Sequence, residues 1–318
     1  MPIASTLPIT TPCYEHDSEN RIHLALLKRF DETFALSHKV LRRTDPGNVQ
    51  LMGCAVRRLY LAFRDLKPFI GDQSVSGTEI KIRGIADALG EIRYQDAAIL
   101  ALEKVAPQAP HQFAQTIQQS IETRKKVRRK SRQTLERLLV DLGDNIASAQ
   151  FEKPGTPAAH RTGVSRRRRP VGSLKNVATA IIQSHLSELE KCSTLLNESS
   201  QAMSLVAMDR ATQRLLYAIE LFSDCWTADV RLFSRSLTNL QRALTKVSDC
   251  DTLIKEIRRQ ILESKKTGPQ GAKRTFVVLF AQFSELRNFH LDESLALWNA
   301  WESDQLSSQL RKSITRPI

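Results

Sequence analysis

The sequence has little of what several protein classes require. Aromatic residues make up only 6% of its 318 residues, and 12 glycines and 12 prolines are few for the many turns of a β-sandwich or β-barrel. No apolar run approaches the roughly 18 residues of a membrane-spanning helix. The first residues lack the basic start and apolar stretch of a signal peptide. We therefore expect a cytoplasmic protein that does not enter the membrane.

Cysteine pairs and catalytic motifs are also missing. The five cysteines form no CxxC pair, which fits reduced thiols in the cytosol. The sequence has no GxxxxGKS/T loop, no GxGxxG after a strand, no HExxH and no GxSxG. Asp249 and Asp251 lie two positions apart, so a helix would point them to different faces and they make a poor acid–base or metal pair. We expect no enzymatic activity and no cofactor.

What the chain does carry is a large excess of positive charge. Lysine and arginine number 47 against 34 aspartate and glutamate, which gives a formal net charge of +13. The whole excess lies in two segments, residues 122–137 with a net +6 and residues 153–175 with a net +7. Arginine predominates, and its guanidinium suits forked contacts with phosphate oxygens. This distribution predicts an anionic partner.

The two basic segments differ in kind. Residues 153–175 contain three prolines and three glycines without helical periodicity, which predicts a flexible linker that either binds anions or only joins two folded parts. Residues 122–137 continue a helical pattern in which Arg124, Arg128 and Arg132 follow at intervals of four. Because like charges at this spacing repel each other, we expect something anionic to meet this row.

Almost all of the remaining chain has the periodicity of amphipathic helices. Clusters of glycine, proline and polar residues separate these segments, and none of them alternates with period two. The sequence therefore predicts an all-α fold. The predicted helices cover residues 18–44, 48–69, 78–105, 111–149, 174–198, 200–223, 227–264 and 273–312, the last of them broken.

Two parts of the sequence resemble each other about 156 residues apart. Residues 49–66 resemble residues 205–222, and residues 88–100 resemble residues 243–254. This self-similarity predicts two tandem four-helix bundles that arose by internal duplication. The predicted organisation is a disordered N-terminal tail (1–17) and one domain (18–312) that consists of repeat one (18–149), a basic linker (150–172) and repeat two (173–312).

The repeated residues resemble the CHAD family, helical domains named for conserved histidines. In that family a His precedes a basic cluster of the form R-x-x-x-R-R-L-R, and a Leu-Gly turn later runs into R/H-D-x-D-V. The residues that carry the resemblance are Arg57-Arg58-Leu59, Leu89-Gly90-Glu91-Ile92-Arg93 with Asp96, Gln213-Arg214-Leu215, Ser248-Asp249-Cys250-Asp251 and Leu297-Trp298-Asn299-Ala300-Trp301. The basic helix at 122–137 is similar to the Arg/Lys-rich helix that follows in family members.

The chain also departs from the family pattern. The departures are Gln50 and Val206 at the His, Gly53 and Asp209 at the Arg three residues later, and Tyr60 and Leu216 at the last basic position of each cluster. The chain therefore resembles a divergent member that has lost part of the anion-contacting set, most clearly in its second half.

The resemblance implies two four-helix bundles around a basic groove or pore that holds inorganic polyphosphate, and an association with cytoplasmic polyphosphate granules. A polyphosphate chain is a flexible polyanion without bases, so rows of arginine and lysine should hold it in a salt-dependent way. We expect Asp96, Asp249 and Asp251 to orient arginines or cap helices. The residues expected to contact polyphosphate are Arg57, Arg58, Arg64, Arg124, Lys125, Arg128, Arg129, Arg132 and Arg214.

Two alternatives stay open at this point. One is a nucleic-acid or nucleoid-associated protein that uses the 122–137 helix and Arg166–Arg169, although few aromatic residues accompany these bases for stacking. The other is a helical scaffold that has kept the bundle and lost anion binding. The sequence does not determine the oligomeric state.

Overall fold

Long α-helices make up the described part of the chain, which confirms the predicted all-α fold. The computed structural model describes residues 18–42, 46–69, 75–108, 111–148, 173–198, 201–226, 230–267 and 270–315, and these ranges contain no β-strand. The predicted tail at 1–17 and the predicted linker at 150–172, including Arg166–Arg169, lie outside the described residues. None of the described helices combines the length and the hydropathy that crossing a bilayer requires.

The helix bounds agree closely with the periodicity of the sequence. The helices are α1 (Ser18–Arg42), α2 (Pro46–Leu66), α3 (Val75–Val105), α4 (His111–Ser148), α5 (Leu174–Glu198), α6 (Gln201–Leu221), α7 (Val230–Thr267), α8 (Gln270–Ser303) and α9 (Leu306–Thr315). The predicted break in the last helix falls at Asp304 and Gln305. Gln305 has a φ of 52°, and this left-handed conformation ends α8 and turns the chain into α9.

The helices pack in the same order in the two halves of the chain. In the first half α1 packs on α2, α2 on α3 and α3 on α4, and in the second half α5 packs on α6, α6 on α7 and α7 on α8. The fourth side differs, because α1 contacts α4 in the first half, whereas α9 contacts α5 in the second. The halves meet where α1 contacts α5, α2 contacts α6 and α3 contacts α7. The internal duplication itself stays a prediction.

Residues that the repeat pairs with one another are buried alike. Met52 and Met208 are fully buried, and so are Leu59 and Leu215. Each half has a large apolar core, and the half-buried side chains of Tyr60, Ile181 and Trp226 pack against both cores. A third apolar cluster joins α3 and α4 to α7 and α8. Its members are Ile99, Leu102, Ile117, Ile121, Ile257 and Phe276. The apolar contacts therefore tie the two halves together.

Replacing Leu215 by alanine should destabilise the fold, because its side chain is completely buried in the second core. We expect a loss of about 3 kcal/mol, the usual cost of removing a leucine side chain and leaving a cavity. Leu232, whose side chain is 70% exposed, is the matched control, and Leu232→Ala should change stability by less than about 0.5 kcal/mol. Urea unfolding measures both. Equal stability of the two variants would contradict the assigned core.

Candidate functional site

A groove runs between α3 and α7 where the two halves meet. It consists of two adjoining depressions of about 460 and 370 Å³ that share Arg93 and Leu100 of α3 and Asp249 of α7. The smaller depression is also lined by Lys125 and Arg128 of α4. We call this feature the α3/α7 groove. It brings basic side chains of two helices of the first half against a helix of the second.

Helical spacing places these side chains on the groove. On α3, Arg93, Asp96 and Leu100 follow at intervals of three and four residues, which puts them on one face of the helix. On α4, Lys125 and Arg128 are three residues apart and lie on neighbouring turns. All three basic side chains are partly exposed, at 30% for Arg93 and Lys125 and 24% for Arg128, so their charged ends remain accessible.

Aspartates hold the groove arginines in place. Arg93 donates from Nη2 to Asp249 Oδ1 at 2.8 Å, and Arg128 donates from Nη1 to Asp96 Oδ1 at 2.7 Å. Asp251 accepts in the same way from Arg287 Nε of α8 at 2.6 Å. Each of the three aspartates thus pairs with an arginine, as the first of the two roles predicted for them (orienting arginines or capping helices) requires. Because a guanidinium has five N–H donors, each groove arginine keeps donors for an additional anion.

The lining of the smaller depression is balanced in charge. Three basic side chains, Arg93, Lys125 and Arg128, face three acidic ones, Asp96, Glu103 and Asp249. Within the described ranges, no three His, Cys, Asp or Glu side chains are placed to hold a metal ion. The groove therefore offers oriented hydrogen-bond donors for an oxyanion but only a weak net attraction.

Arg57 on α2 acts electrostatically on Asp209 of α6, a carboxyl that Asp249 of the groove also influences. Burial raises the pKa of Asp209 on α6, while the hydrogen bond from Gln213 and the charge of Arg57 lower it and the charge of Asp249 raises it. Arg57 and Asp249 are therefore both within electrostatic reach of Asp209. In the described part of the chain, Arg57 itself makes no hydrogen bond or ion pair, and Asp209 Oδ1 has no hydrogen-bond partner. Arg57 thus keeps donors beside the groove.

The predicted arginine row of α4 meets acceptors that belong to the fold itself. Arg124 is buried, pairs with Glu256 of α7 and donates from Nη1 to Gln95 Oε1 at 3.2 Å. Arg132 donates to the backbone carbonyl of Val40 in α1. Burial and the neighbouring Arg128 lower the pKa of Arg132. The row therefore does meet negative groups, as the repulsion between like charges requires, but two of its three arginines point into the protein.

Glu256 is the centre of the buried network around Arg124. Its carboxylate accepts from Tyr94 Oη at 2.9 Å and from Gln260 Nε2 at 3.0 Å, in addition to Arg124 and Arg259. Burial alone would raise the pKa of Glu256, but these hydrogen bonds and the charge of Arg124 hold it at about 2. The network connects α3 and α4 of the first half to α7 of the second.

Three other predicted residues lie away from the groove. Arg58 donates from Nε to Glu220 Oε2 at 2.7 Å, stacks over the Tyr217 ring and lines a separate cavity of about 650 Å³. Arg64 pairs with the adjacent Asp65 at 3.0 Å, and Arg214 pairs with Glu188 of α5. Of the nine predicted residues, the groove lining therefore includes Lys125 and Arg128, with Arg57 nearby and Arg129 exposed on α4.

Comparison with known proteins identifies the family. The family model for the CHAD domain matches residues 24–258, which is well over half of the chain. This chain belongs to the CHAD family. No curated protein matches the sequence.

Two solved structures share the fold of this CHAD chain. The CHAD domain from the plant Ricinus communis has a TM-score of 0.55 and 16% sequence identity, over 99% of this chain and 96% of that one. PptA from Streptomyces chartreusis has a TM-score of 0.63 and 12% identity, over 91% of this chain and 100% of that one. At these identities the likeness concerns the fold alone.

The first departure from the CHAD pattern lies at the groove. Gln50, which stands at the position of the first family His, lines the smaller depression. Gly53 and Arg57 follow it on the same face of α2, and a Cβ atom added at Gly53 would meet no atom within 4 Å. Val206, at the second His position, is exposed on α6. The position of the first family His, occupied here by Gln50, therefore lies in the lining of the groove.

Sequence reasoning missed Arg93 and Glu256. Arg93 belongs to the segment that carries the family resemblance, but only Asp96 of that segment was assigned a role. The contact between α3 and α7 brings Arg93 to Asp249. Glu256 lies seven residues after Asp249, a spacing that places both on one face of α7. This spacing was the available sequence signal that Glu256 faces the first half. The partner of Glu256, Arg124, is 132 residues away in the chain, so the pair itself could not be predicted.

Replacing Glu256 by glutamine should destabilise this CHAD domain by about 3 kcal/mol near neutral pH, because it leaves the buried guanidinium of Arg124 without its carboxylate. Folding lowers the pKa of Glu256 from 4.5 to about 2, so the carboxylate stabilises the fold above pH 4.5. This contribution is lost as the pH falls towards 2. The difference in urea-unfolding free energy between wild type and variant should therefore shrink over that pH range.

Glu122→Gln is the matched control for this measurement. Glu122 forms an exposed pair with Lys125 on the surface of α4, and such pairs contribute little to stability. The control should stay within about 0.5 kcal/mol of wild type at every pH. A Glu256 variant as stable as this control at neutral pH would show that the buried pair does not stabilise the fold.

Proposed function

We propose that this CHAD protein binds inorganic polyphosphate and that the α3/α7 groove orients the bound phosphates. The observation that carries the proposal is the meeting of Arg93, Lys125 and Arg128 at one groove, beside the α2 position of the family His. Arginine binds phosphate through parallel N–H···O contacts, and lysine adds a mobile point charge. A groove with two oriented arginines and one lysine suits a chain of linked phosphates.

The aspartates support this proposal rather than oppose it. Asp249 and Asp96 each accept from one edge of an arginine, at 2.8 and 2.7 Å, which fixes the direction of the guanidinium. The free N–H groups can then bind phosphate without losing further side-chain freedom. Arg57, on the same face of α2 as the groove residue Gln50, has no hydrogen-bond or ion-pair partner among the described residues. We propose a non-catalytic role without a cofactor, in which the protein holds polyphosphate at cytoplasmic granules.

One observation favours the alternative of a helical scaffold without anion binding. The fold itself pairs Arg58, Arg64, Arg124, Arg128 and Arg214 with carboxylates. Lys125 also has a partner, Glu122 at 3.4 Å. If these pairs leave the basic side chains without enough free N–H donors and positive charge to bind an anion, the protein keeps the CHAD fold and binds only protein partners. A titration with polyphosphate separates the two functions.

The titration uses labelled long-chain polyphosphate and a variant with Arg93, Lys125 and Arg128 all changed to glutamine. We expect this groove variant to bind at least about tenfold more weakly at physiological salt, because each charge-assisted hydrogen bond to a phosphate contributes about 1.5–3 kcal/mol. Double-stranded DNA and RNA serve as competitors. We expect polyphosphate to bind more tightly than either, because the lining of the smaller depression, where the three basic side chains meet, contains no aromatic residue for base stacking. The aromatic residues of the groove, Tyr94 and Phe283, line the larger depression.

The matched control changes three exposed lysines outside the groove, Lys28, Lys191 and Lys312, to glutamine. It removes the same charge and should bind within about threefold of wild type, because the proposed contacts are local rather than general. Equal losses in both variants would show non-specific attraction by net charge. Binding of nucleic acid as tight as that of polyphosphate would favour the nucleic-acid function, and no binding by wild type would favour the scaffold.

Gly53→Arg should strengthen polyphosphate binding by about threefold to tenfold, the value of one charge-assisted hydrogen bond less the cost of ordering the side chain. This change restores the Arg of the CHAD pattern on the same face of α2 as Gln50 and Arg57, where an added Cβ atom meets no atom within 4 Å. Gly53→Ala is the control and should leave the affinity unchanged. The same titration measures both, and an arginine variant no tighter than the alanine variant would contradict the placement of the site.

A further inference from the structure

The outer face of α4 carries a second set of basic side chains. Lys126, Arg129, Lys130 and Arg137 are all exposed. Arg129, Lys130 and Arg137 follow Lys126 by three, four and eleven residues. At about 100° per residue, the four side chains lie within an arc of about 100°, which is less than a third of the helix circumference. The opposite face of α4 is buried through residues such as Leu135 and Leu139. We call these four residues the outer row.

The outer row is not neutralised by the fold. In the described part of the chain, Lys126, Arg129 and Lys130 make no hydrogen bond or ion pair. Among the described residues, Arg137 donates within its own helix, to the Gln133 carbonyl at 3.3 Å and to Thr134 Oγ1 at 3.4 Å. The groove arginines, by contrast, are held by aspartates. The strongest unbalanced positive charge that α4 presents to solvent is therefore on its outer side.

The outer row continues directly from the groove. Lys125 of the groove and Arg129 of the outer row are four residues apart on α4, so their Cβ atoms are neighbours about 6 Å apart. From Lys126 to Arg137 the row then extends about 16 Å along the helix axis. A flexible polyanion that leaves the groove at Lys125 would meet Arg129 next. It could follow the row from Lys126 to Gln133 without crossing an acidic side chain, and the exposed Glu136 then lies beside the last member, Arg137.

The chemistry of the row fits phosphates rather than bases. The stretch of α4 from 114 to 143 contains no aromatic residue, so nothing on this face can stack on a nucleobase. Lysine and arginine at helical spacing supply only charge and N–H donors. A ligand that presents regularly spaced phosphates and nothing else uses all that the row offers.

We infer that a polyphosphate chain longer than the groove continues over the outer row, so that the protein selects long chains over short ones. This inference rests on the proposed function and assigns the two surfaces different tasks. The balanced lining of the groove orients the first phosphates, and the unpaired charges of the outer row supply most of the affinity through counterion release. Short polyphosphates occupy the groove alone and bind weakly.

The test compares wild type with a variant in which all four residues of the outer row, Lys126, Arg129, Lys130 and Arg137, are changed to glutamine. Both are titrated with long-chain polyphosphate and with tripolyphosphate at several salt concentrations between 50 and 200 mM. For single strands, each neutralised phosphate contributes about −0.7 to the slope of log K against log salt, so the variant should lose about 3 from that slope. Between those salt concentrations, the long-chain affinity of wild type should fall about 50-fold more than that of the variant. Tripolyphosphate binding should be unchanged.

The matched control removes four exposed charges elsewhere, by Lys28→Gln, Lys191→Gln, Lys255→Gln and Lys312→Gln. It should keep the slope of wild type to within about 1, the change expected for a single lost phosphate contact. Glutamine is a good helix former, so both variants should fold, and thermal unfolding verifies this. A control that loses as much slope as the row variant would overturn the inference, because the effect would then come from net charge alone.

Two further outcomes separate this inference from the proposed function. If the groove variant weakens long-chain binding and the row variant leaves its slope unchanged, the inference is overturned and the proposed function stands. If wild type binds neither long-chain polyphosphate nor tripolyphosphate, both are overturned. Loss of long-chain affinity in the row variant, with tripolyphosphate binding retained, supports both.

Discussion

The buried pair between Arg124 and Glu256 is the contact on which the arrangement of the groove depends. It joins α4 of the first half to α7 of the second, and Tyr94 of α3 donates to the same carboxylate. A buried ion pair contributes little net stability compared with apolar packing, but breaking one side of it is costly. An alignment of these helices that separated the two charges would leave a buried guanidinium without its carboxylate and is disfavoured for that reason. Lys125 and Arg128 follow Arg124 on α4 by one and four residues. Fixing the position of Arg124 therefore also fixes the positions of these two side chains at the groove.

The same helix is basic on both sides for different reasons. Towards the protein, the cations of α4 meet carboxylates and a carbonyl of the fold, and their charge is spent on holding helices together. Towards solvent, Lys126, Arg129 and Lys130 have no such partners among the described residues. A net charge of +6 in residues 122–137 is thus divided between structure and surface. Only the surface share, with the groove at its edge, is available to a polyanion.

The features that could be predicted from the sequence are those encoded locally. Apolar periodicity located the helices. The last helix was predicted to be broken, but the position of the break, at residues 304–305, comes from the structure. The orienting role of Asp96, Asp249 and Asp251 also followed from chemistry, since a carboxylate beside an arginine row pairs with it. The burial of Arg124 and the partial exposure of Arg128 could not be predicted, because both belong to the same row of arginines spaced four residues apart. Which of them is buried depends on α7, more than a hundred residues away in the chain.

Among the described residues, the arginine–carboxylate pairs recorded between the two halves run in one direction. Arg58, Arg93 and Arg124 come from the first half, and their partners Glu220, Asp249 and Glu256 come from the second. Asp209, at the position of a family Arg, adds another second-half carboxylate beside Arg57. If the halves arose by duplication, they have since become complementary in charge. Such complementarity leaves the basic side chains of α3 and α4, in the first half, at the α3/α7 groove and places a carboxylate of the second half, Asp249, opposite them.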